Sequence, residues 1–524
     1  MKNYIYKKKT GFLSMLIAAL SVYAFRVYLT DTGIGYMICT YLICAFLWMI
    51  LGNGFSDVMS RMVRTRLSKG QKNNALYIIS LCFANQFIFG VLGAVLCAQI
   101  NYSLMMNIFN FPKGRYLGIY LSAFFFFRMI NEYLIGYLSV TSGDRAICIA
   151  DVLKQLFRIG FGAVCMKYMY DKGLIVASIL MDDDYKFIYM ASGLFIGFCI
   201  SEIFIFVFLF IVKLGFKIKG SSDRDPVSMK ESTIHIFLNF WNKRIATIIH
   251  GSVFCLMLMT VLPASDDISA VGSAFSMLLL PFIISAILSM YFSITAAVQL
   301  TSSVRKKEKG NARIYFDYGI HIAEITAVFV TSFAASVSKL YSKLILPEGG
   351  NGITTEMIVI TAASIPFAVS LFSDQITAMR DDRIPRIIAD AVSGILAILA
   401  ARISFGSTPD IFRSLMISIL VYSISGMIIW WFVTYVRMGL VFDPIRNTLI
   451  PIVSGAVNAI ALLVITNAAS PHLGAMFTLL ISIPIALIIY HSILLLLRNY
   501  YEVELKLMPL GGVLYSLGQI LRVM

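Results

Sequence analysis

The chain has 524 residues, of which 59% are hydrophobic and only 14% charged, with a formal net charge of +15. Soluble domains are about half apolar and a quarter charged, so the composition excludes a soluble enzyme, and the cations are spread between apolar runs instead of forming a nucleic-acid-binding face. The eight cysteines lie in or beside apolar runs with no CxxC pair, the pattern of buried reduced thiols and not of a disulfide or metal framework.

Apolar runs of about 20 residues recur along the whole length, each long enough to cross ~30 Å of hydrocarbon as a helix. They are continuous, not alternating, which selects helices over a barrel. The first run has no small-residue cleavage site and is one span among many, so no cleavable signal is expected. Fourteen spans are predicted, at about 11–29, 36–58, 75–100, 116–140, 146–169, 187–212, 236–262, 270–297, 315–341, 354–378, 387–404, 413–436, 447–467 and 473–497. The predicted fold class is therefore all-α, a polytopic membrane protein.

Taken in order, span 1 carries Arg26 near its outer end, where a long side chain can snorkel to the border. Span 2 is followed by SRMVRTRLSKGQKNN, residues 60–74, with five cations and no acid; it is expected to be a cytoplasmic loop against anionic headgroups. Span 4 places Arg128 and Glu132 four apart, the spacing of an intrahelical ion pair. Span 5 places Lys154 and Arg158 four apart, and two cations cannot neutralise each other. Asp151 offsets Lys154, but Arg158 is left over. Ionisable groups in mid-membrane cost at least ~2.5–3.5 kcal/mol each and face a cavity or a partner, so span 5 points to a wet, anion-attracting cavity. In span 7, Lys243 and Arg244 mark a cytoplasmic border. Arg158, Lys154, Arg128 and Arg26 are thus candidate ligands for a phosphate or pyrophosphate, which arginine binds with a two-pronged fork. Glu132, Glu202, Glu324, His321 (three before Glu324) and Asp374 are candidate proton or Na⁺ carriers, with Asp390 a further buried acid. Pro281, Pro366 and Pro484 mark bent or broken helices. No metal site and no cofactor are expected.

Lys69-Gly70 and Lys309-Gly310 lie 240 residues apart, each closing a cationic stretch, after spans 2 and 8 respectively. A displacement of six spans predicts two parallel, pseudo-symmetric six-helix lobes. The expected domains are residues 1–212, a Gly/Ser/charge-rich cytoplasmic linker at 213–235, a second lobe at 236–436, and two additional helices with a tail at 437–524. Lysines and arginines number 28 in the N-terminus, even gaps and tail, against nine in and beside the odd gaps. This asymmetry places both ends in the cytoplasm, in a cytoplasmic (inner) membrane.

Arg26, Gly33-Ile34-Gly35-Tyr36, Gly54 and SRMVRTRLSKGQKNNA resemble the outer arginine, Gly-x-Gly-x-Tyr turn and cationic loop of a known family. Gln155, Arg158 and Ile159 resemble its SQxxEQxxRV pattern, with Asp151 and Lys154 in place of its Gln and Glu. The run VGSAFSMLLLPFIISAILSMYFSITAAVQL and the segment from Ile365 to Asp382 are similar to their counterparts. The family is the stage V sporulation protein B-like branch of the polysaccharide flippases, in the multidrug/oligosaccharidyl-lipid/polysaccharide (MOP) superfamily. The resemblance implies fourteen helices, two lobes around a cavity, and alternating access that moves an undecaprenyl-pyrophosphate-linked saccharide to the outer leaflet. It also implies membrane lipids and envelope polysaccharide synthesis enzymes as partners, with Na⁺, H⁺ or the membrane potential as the driving force. The branch that moves lipid II has further arginines in helix 1, where this chain has Ser14 and Ser21; that departure favours another lipid-linked glycan. Two alternatives are a cation-coupled drug or metabolite antiporter of the same superfamily and a membrane-bound glycan-modifying enzyme. Short external gaps without paired catalytic groups argue against an enzyme, and Asp182-Asp183-Asp184 is expected to be a solvated acidic loop. A non-transporting scaffold is the residual option. No nucleotide-binding P-loop is present.

Overall fold

A computed structural model describes residues 2–218, 229–262, 265, 267–345, 354–380, 382–407, 410–440, 443–508 and 511–520. Much of the expected 213–235 linker, residues 219–228, lies outside the described residues. Every regular element among the described residues is helical: α1 (Lys2–Leu51), α2 (Phe55–Leu67), α3 (Lys72–Asn107), α4 (Leu117–Val140), α5 (Asp144–Leu180), α6 (Asp184–Gly215), α7 (Met229–Val261), α8 (Ile268–Ser273), α9 (Leu280–Arg305), α10 (Lys309–Ile345), α11 (Thr354–Ala362), α12 (Ser364–Arg380), α13 (Arg383–Ser407), α14 (Ile411–Met438), α15 (Ile450–Leu496), α16 (Glu502–Leu507) and α17 (Gly511–Ile520).

Ten helical stretches among the described residues are long and apolar enough to cross a membrane. Two of these are broken midway, at Thr30 (φ 56°) in α1 and at Gly474 (φ 73°) in α15, and each half retains the ~20 residues a crossing needs. Helices α4 and α5, of 24 and 37 residues, miss that apolarity because they carry intramembrane charges. Counting both halves of the broken helices and adding α4 and α5 gives fourteen spans, the number expected.

By contacts the described chain forms two compact units, Lys2–Ser273 and Ala274–Ser407 with Phe412 onward; Asp410 and Ile411 go with the first. Helix α7, which the span count assigns to the second lobe, packs on α1 and α2 of the first unit. Arg244 shows why. It is fully buried, and its Nε and Nη2 donate to the carbonyls of Asn53 (3.0 Å) and Ile50 (3.1 Å). These are free carbonyls where α1 ends, the place where a cation is favoured by the helix dipole. Arg244 therefore caps a helix break and does not sit at a solvent border as its sequence position implies.

The cationic stretch after span 2 also differs from the expected loop. Its first half is helical, as part of α2, with a left-handed Gly54 (φ 73°) at its start. Phe55, Val58, Met59, Met62 and Val63 share the buried face, while Arg61 and Arg64 are exposed; the spacing is that of an amphipathic helix. The Lys-Gly pair is not structurally repeated. Gly70 (φ 75°) makes a left-handed turn, whereas Gly310 lies inside α10 and Lys307 (φ 61°) makes the turn.

Of the three prolines named above, two fall at interruptions. Pro281 follows a π-helical turn (Ala274–Leu279), and Pro366 follows the α11–α12 break. Helix α15 breaks at Gly474 and not at Pro484.

Within the first unit, α5 and α6 form the most extensive pair. Glycines set their separation: a Cβ on Gly197 would lie 2.5 Å from the Gly162 nitrogen, and one on Gly193 would lie 2.5 Å from the Cys165 carbonyl. Small residues allow such close approach of membrane helices, where packing takes the place of the hydrophobic drive. Gly35 has the same use in the Gly-x-Gly-x-Tyr motif. A Cβ there would lie 2.1 Å from the Ile268 carbonyl of α8.

Candidate functional site

The close α5–α6 contact brings Arg158, one turn before Gly162, against Glu202 of α6. Arg158 Nη2 lies 2.5 Å from Glu202 Oε1. Glu202 also accepts from Asn131 Nδ2 of α4 at 2.8 Å. Exposures of 8% for Arg158 and 1% for Glu202 make this a buried ion pair. Phe124 and Phe198 place their rings 5.2 and 5.5 Å from the guanidinium. Arg158 is thus paired with an acid that the spacing in span 5 did not reveal.

Beside this pair, Arg128, Asn131, Glu132, Asp151, Lys154 and Glu202 line a small polar pocket with room for about one water molecule. Arg128 and Glu132 share a helix face but do not form the intrahelical pair expected of them. The Arg128 guanidinium lies 4.1 Å from the Trp48 ring centroid, and Glu132 lies beside Ser56 of α2. No carboxylate lies within 4.0 Å of the Arg128 nitrogens among the described residues. Lys154 is 3.5 Å from Asp151. Three cations and three carboxylates therefore share the region, which is charge-balanced and not electropositive as span 5 alone implies. Ser14 Oγ of α1 donates to the Asp151 carbonyl (2.9 Å) and accepts from Gln155 Nε2 (3.0 Å). A hydroxyl thus meets α5 at the place compared above with helix-1 arginines.

The other sequence candidates lie elsewhere. Arg26 is buried, not snorkelling, and its Nη2 pairs with Asp31 at 2.5 Å across the α1 break. In the second unit, Asp374 is held in a two-pronged pair by Arg386, at 2.6 and 3.2 Å. Glu324 is fully buried in α10 and accepts from Thr448 Oγ1 at 2.9 and 3.0 Å.

His321, one turn earlier, has Asn499 Nδ2 at 2.9 Å from Nε2 and Glu504 Oε2 at 3.5 Å from Nδ1. The amide donates to Nε2, so the ring proton sits on Nδ1, toward the carboxylate. Glu504 is in turn 2.5 Å from Arg446 Nη2. Burial alone would raise the Glu504 carboxyl, but His321, Arg446 and the Tyr501 N–H hold it below the ordinary glutamate value. Thr448, Arg446, Asn499 and Glu504 carried no signal of their own: as residues of a predicted helix end, gap and tail they read as surface.

At the loop end, Lys113 bridges Asp182 (2.5 Å) and Asp184 (2.6 Å), so the acidic run is clamped and not merely solvated. The eight cysteines carry no disulfide.

No family model matches the sequence, and no curated protein sequence matches it. Among solved structures, the lipid II flippase MurJ in an inward closed conformation aligns with TM-score 0.61 at 13% identity, covering 95% of this chain and 98% of that one. An inward-facing multidrug resistance MATE family transporter of the MOP superfamily aligns with TM-score 0.58 at 13% identity, covering 88% and 95%. A MOP superfamily transporter from Pyrococcus furiosus, described as having a binding pocket of reverse polarity, aligns with TM-score 0.56 at 14% identity, covering 83% and 96%. At these identities the likeness establishes the fold, which is that of the MOP-superfamily transporters, as the sequence motifs imply.

Proposed function

We propose that the chain is a membrane transporter that flips an anionic lipid-linked saccharide across the cytoplasmic membrane by alternating access, with Arg128 as the principal headgroup cation. The observation that carries the proposal is the state of Arg128. It lies in the middle of a spanning helix, stacks on Trp48, lines a polar pocket and has no carboxylate within 4.0 Å among the described residues. A cation kept at that depth without an ion-pair partner fits an incoming anion. Lys154, loosely held by Asp151, is the second ligand. Arg158 serves the site by fixing Glu202 and does not receive substrate. A pyrophosphate-saccharide cannot enter hydrocarbon unaided, because unpaired charge and hydroxyls are too costly to bury. A hydrated, charge-lined path removes that barrier while the polyprenyl tail stays in lipid. Ser14 in place of a cation supports a glycan other than lipid II. Both termini are assigned to the cytoplasm on the lysine and arginine asymmetry.

One observation favours a second reading. Three acids, Glu132, Asp151 and Glu202, line the pocket against two cations, and a cationic drug or metabolite exchanged for H⁺ or Na⁺ would use them. Leaflet-accessibility assays with the purified protein in liposomes and several labelled lipid-linked saccharides separate the two. Movement above empty liposomes, reduced at least about tenfold in R128Q (~1.4 kcal/mol), is expected. No movement of any of these lipids, together with ion-driven efflux of cationic drugs, would replace the first reading by the second.

A further inference from the structure

Glu324 is 0% exposed. Both its oxygens face one donor, Thr448 Oγ1, at 2.9 and 3.0 Å, and no Lys, Arg or His nitrogen lies within 4.0 Å among the described residues. A hydroxyl has a single hydrogen to give, while an ionised carboxylate has about four acceptor sites. An ionised Glu324 would be a nearly bare charge in a dry interior, and such a group takes up a proton instead. As a neutral acid, Glu324 donates its own hydrogen and the two groups satisfy each other.

Thr448 belongs to a five-residue π-helical turn, Ile445–Leu449, at the start of α15. The same turn carries Arg446, which holds Glu504 of α16 and lies 3.6 Å from the Tyr501 ring centroid. Asn447, between them, is 1% exposed with Oδ1 unpartnered. Wide turns of this kind are uncommon and concentrate at functional positions. One short turn thus touches a lone buried acid on one side and the anchor of the C-terminal segment on the other. That segment is seated on α10: Tyr500 and Leu505 are in the same buried cluster as Ala323 and Ile325. The titratable and charged groups facing this region include His321, Asp317 and Tyr318 of α10, Asp443, which accepts from the turn's Ile445 and Arg446 N–H groups, Arg446 of the turn, Tyr490 and His491 of α15, and Tyr500 and Glu504 beyond it.

We propose that Glu324 is a proton-binding site and that its protonation is linked, through the turn 445–449, to the seating of residues 499–507 on α10. Loss of the proton to solvent leaves a carboxylate that draws the turn toward itself. Arg446 then divides its charge between two acids, and Glu504 loses its anchor. This inference concerns the second unit and does not depend on what the pocket in the first unit carries.

The test is hydrogen exchange, followed by mass spectrometry on the full-length protein in lipid nanodiscs across a pH series and corrected for intrinsic exchange. Protection of residues 499–507 is expected to fall as pH rises, by at most about tenfold per pH unit for one linked proton. In E324Q, fixed in the neutral form, protection is expected to stay high and flat. A flat wild-type profile overturns the proposal. So does a profile that E324Q leaves unchanged, or one abolished by H321N and not by E324Q. If E324Q does not fold, infrared spectra of the wild type supply the second readout. A protonated-carboxyl carbonyl band that shifts in T448V supports the site, and absence of the band or of its shift overturns it. Neither readout uses transport, so failure here and failure of the headgroup proposal are distinguishable.

Discussion

Replacing Glu202 by glutamine preserves shape and removes the charge opposite Arg158. Glutamine can still accept from Asn131, so the Asn131 bond at 2.8 Å is largely retained. What is lost is the charge across the 2.5 Å contact with Arg158, a guanidinium only 8% exposed. The two phenylalanine rings flank that cation equally before and after the change, so they do not compensate. Breaking a buried pair by neutralising one member costs ~3–5 kcal/mol, because the other charge stays buried. Within a membrane the unfolded helices also find polar partners, which places the expected loss near the bottom of that range, ~3 kcal/mol. Unfolding in mixed micelles by a denaturing detergent, followed by circular dichroism, gives the number. The double variant E202Q R158M removes both charges and is expected to recover most of the loss, since no bare ion remains. E202Q within ~1 kcal/mol of wild type, or simple additivity in the double variant, would refute the buried-pair account.

Two further outcomes are expected. G197A forces a Cβ to 2.5 Å from a backbone nitrogen of α5, so the helices must part; a loss of ~1–3 kcal/mol in the same unfolding assay is expected, and an unchanged midpoint would contradict the contact. Asp182 is held below the ordinary aspartate value, first by its hydrogen bond from Lys113 and then by the Asp184 N–H. A depressed folded value means that its contribution is present above the unfolded value of ~3.9 and lost as pH falls through the folded one. Exchange protection of residues 181–184 should therefore be flat from about pH 5 to 8 and fall only below about pH 4, and a transition near neutrality would remove the clamp from the account.

The charged residues of the first unit were legible because the membrane makes every ionisable side chain conspicuous. Arg128, Glu132, Lys154, Arg158 and Glu202 could be named from the sequence, and they do converge. Their pairing could not be named. Spacing along one helix tied Arg128 to Glu132, whereas the structure puts a tryptophan of α1 under the arginine and sets the glutamate beside Ser56 of α2. Arg158 seemed unpaired because its acid lies 44 residues away, on another helix. Arg244, Arg446 and Glu504 were hidden for the opposite reason: near predicted borders a charge has a ready topological explanation, and only the backbone path shows them to be interior. The helix count survived even where its marks did not. Fourteen apolar runs are a property of composition, whereas Lys-Gly falls at unlike places in the two turns, and α15 breaks at Gly474, three residues after Pro471, and not at Pro484.

The backbone contact of Gly162 with Gly197 leaves α5 and α6 no room to slide past one another, so the two helices travel as one stiff strut. Arg158 and Glu202 ride on that strut together, and a neutral couple moved through an electric field does no net work. A lone charge moved across the full membrane gains or loses ~2.3 kcal/mol per 100 mV. Any voltage sensitivity contributed by this helix trio therefore falls to the charges outside that couple, Arg128 and Glu132 of α4 foremost, and the Arg158–Glu202 pair is electrically silent.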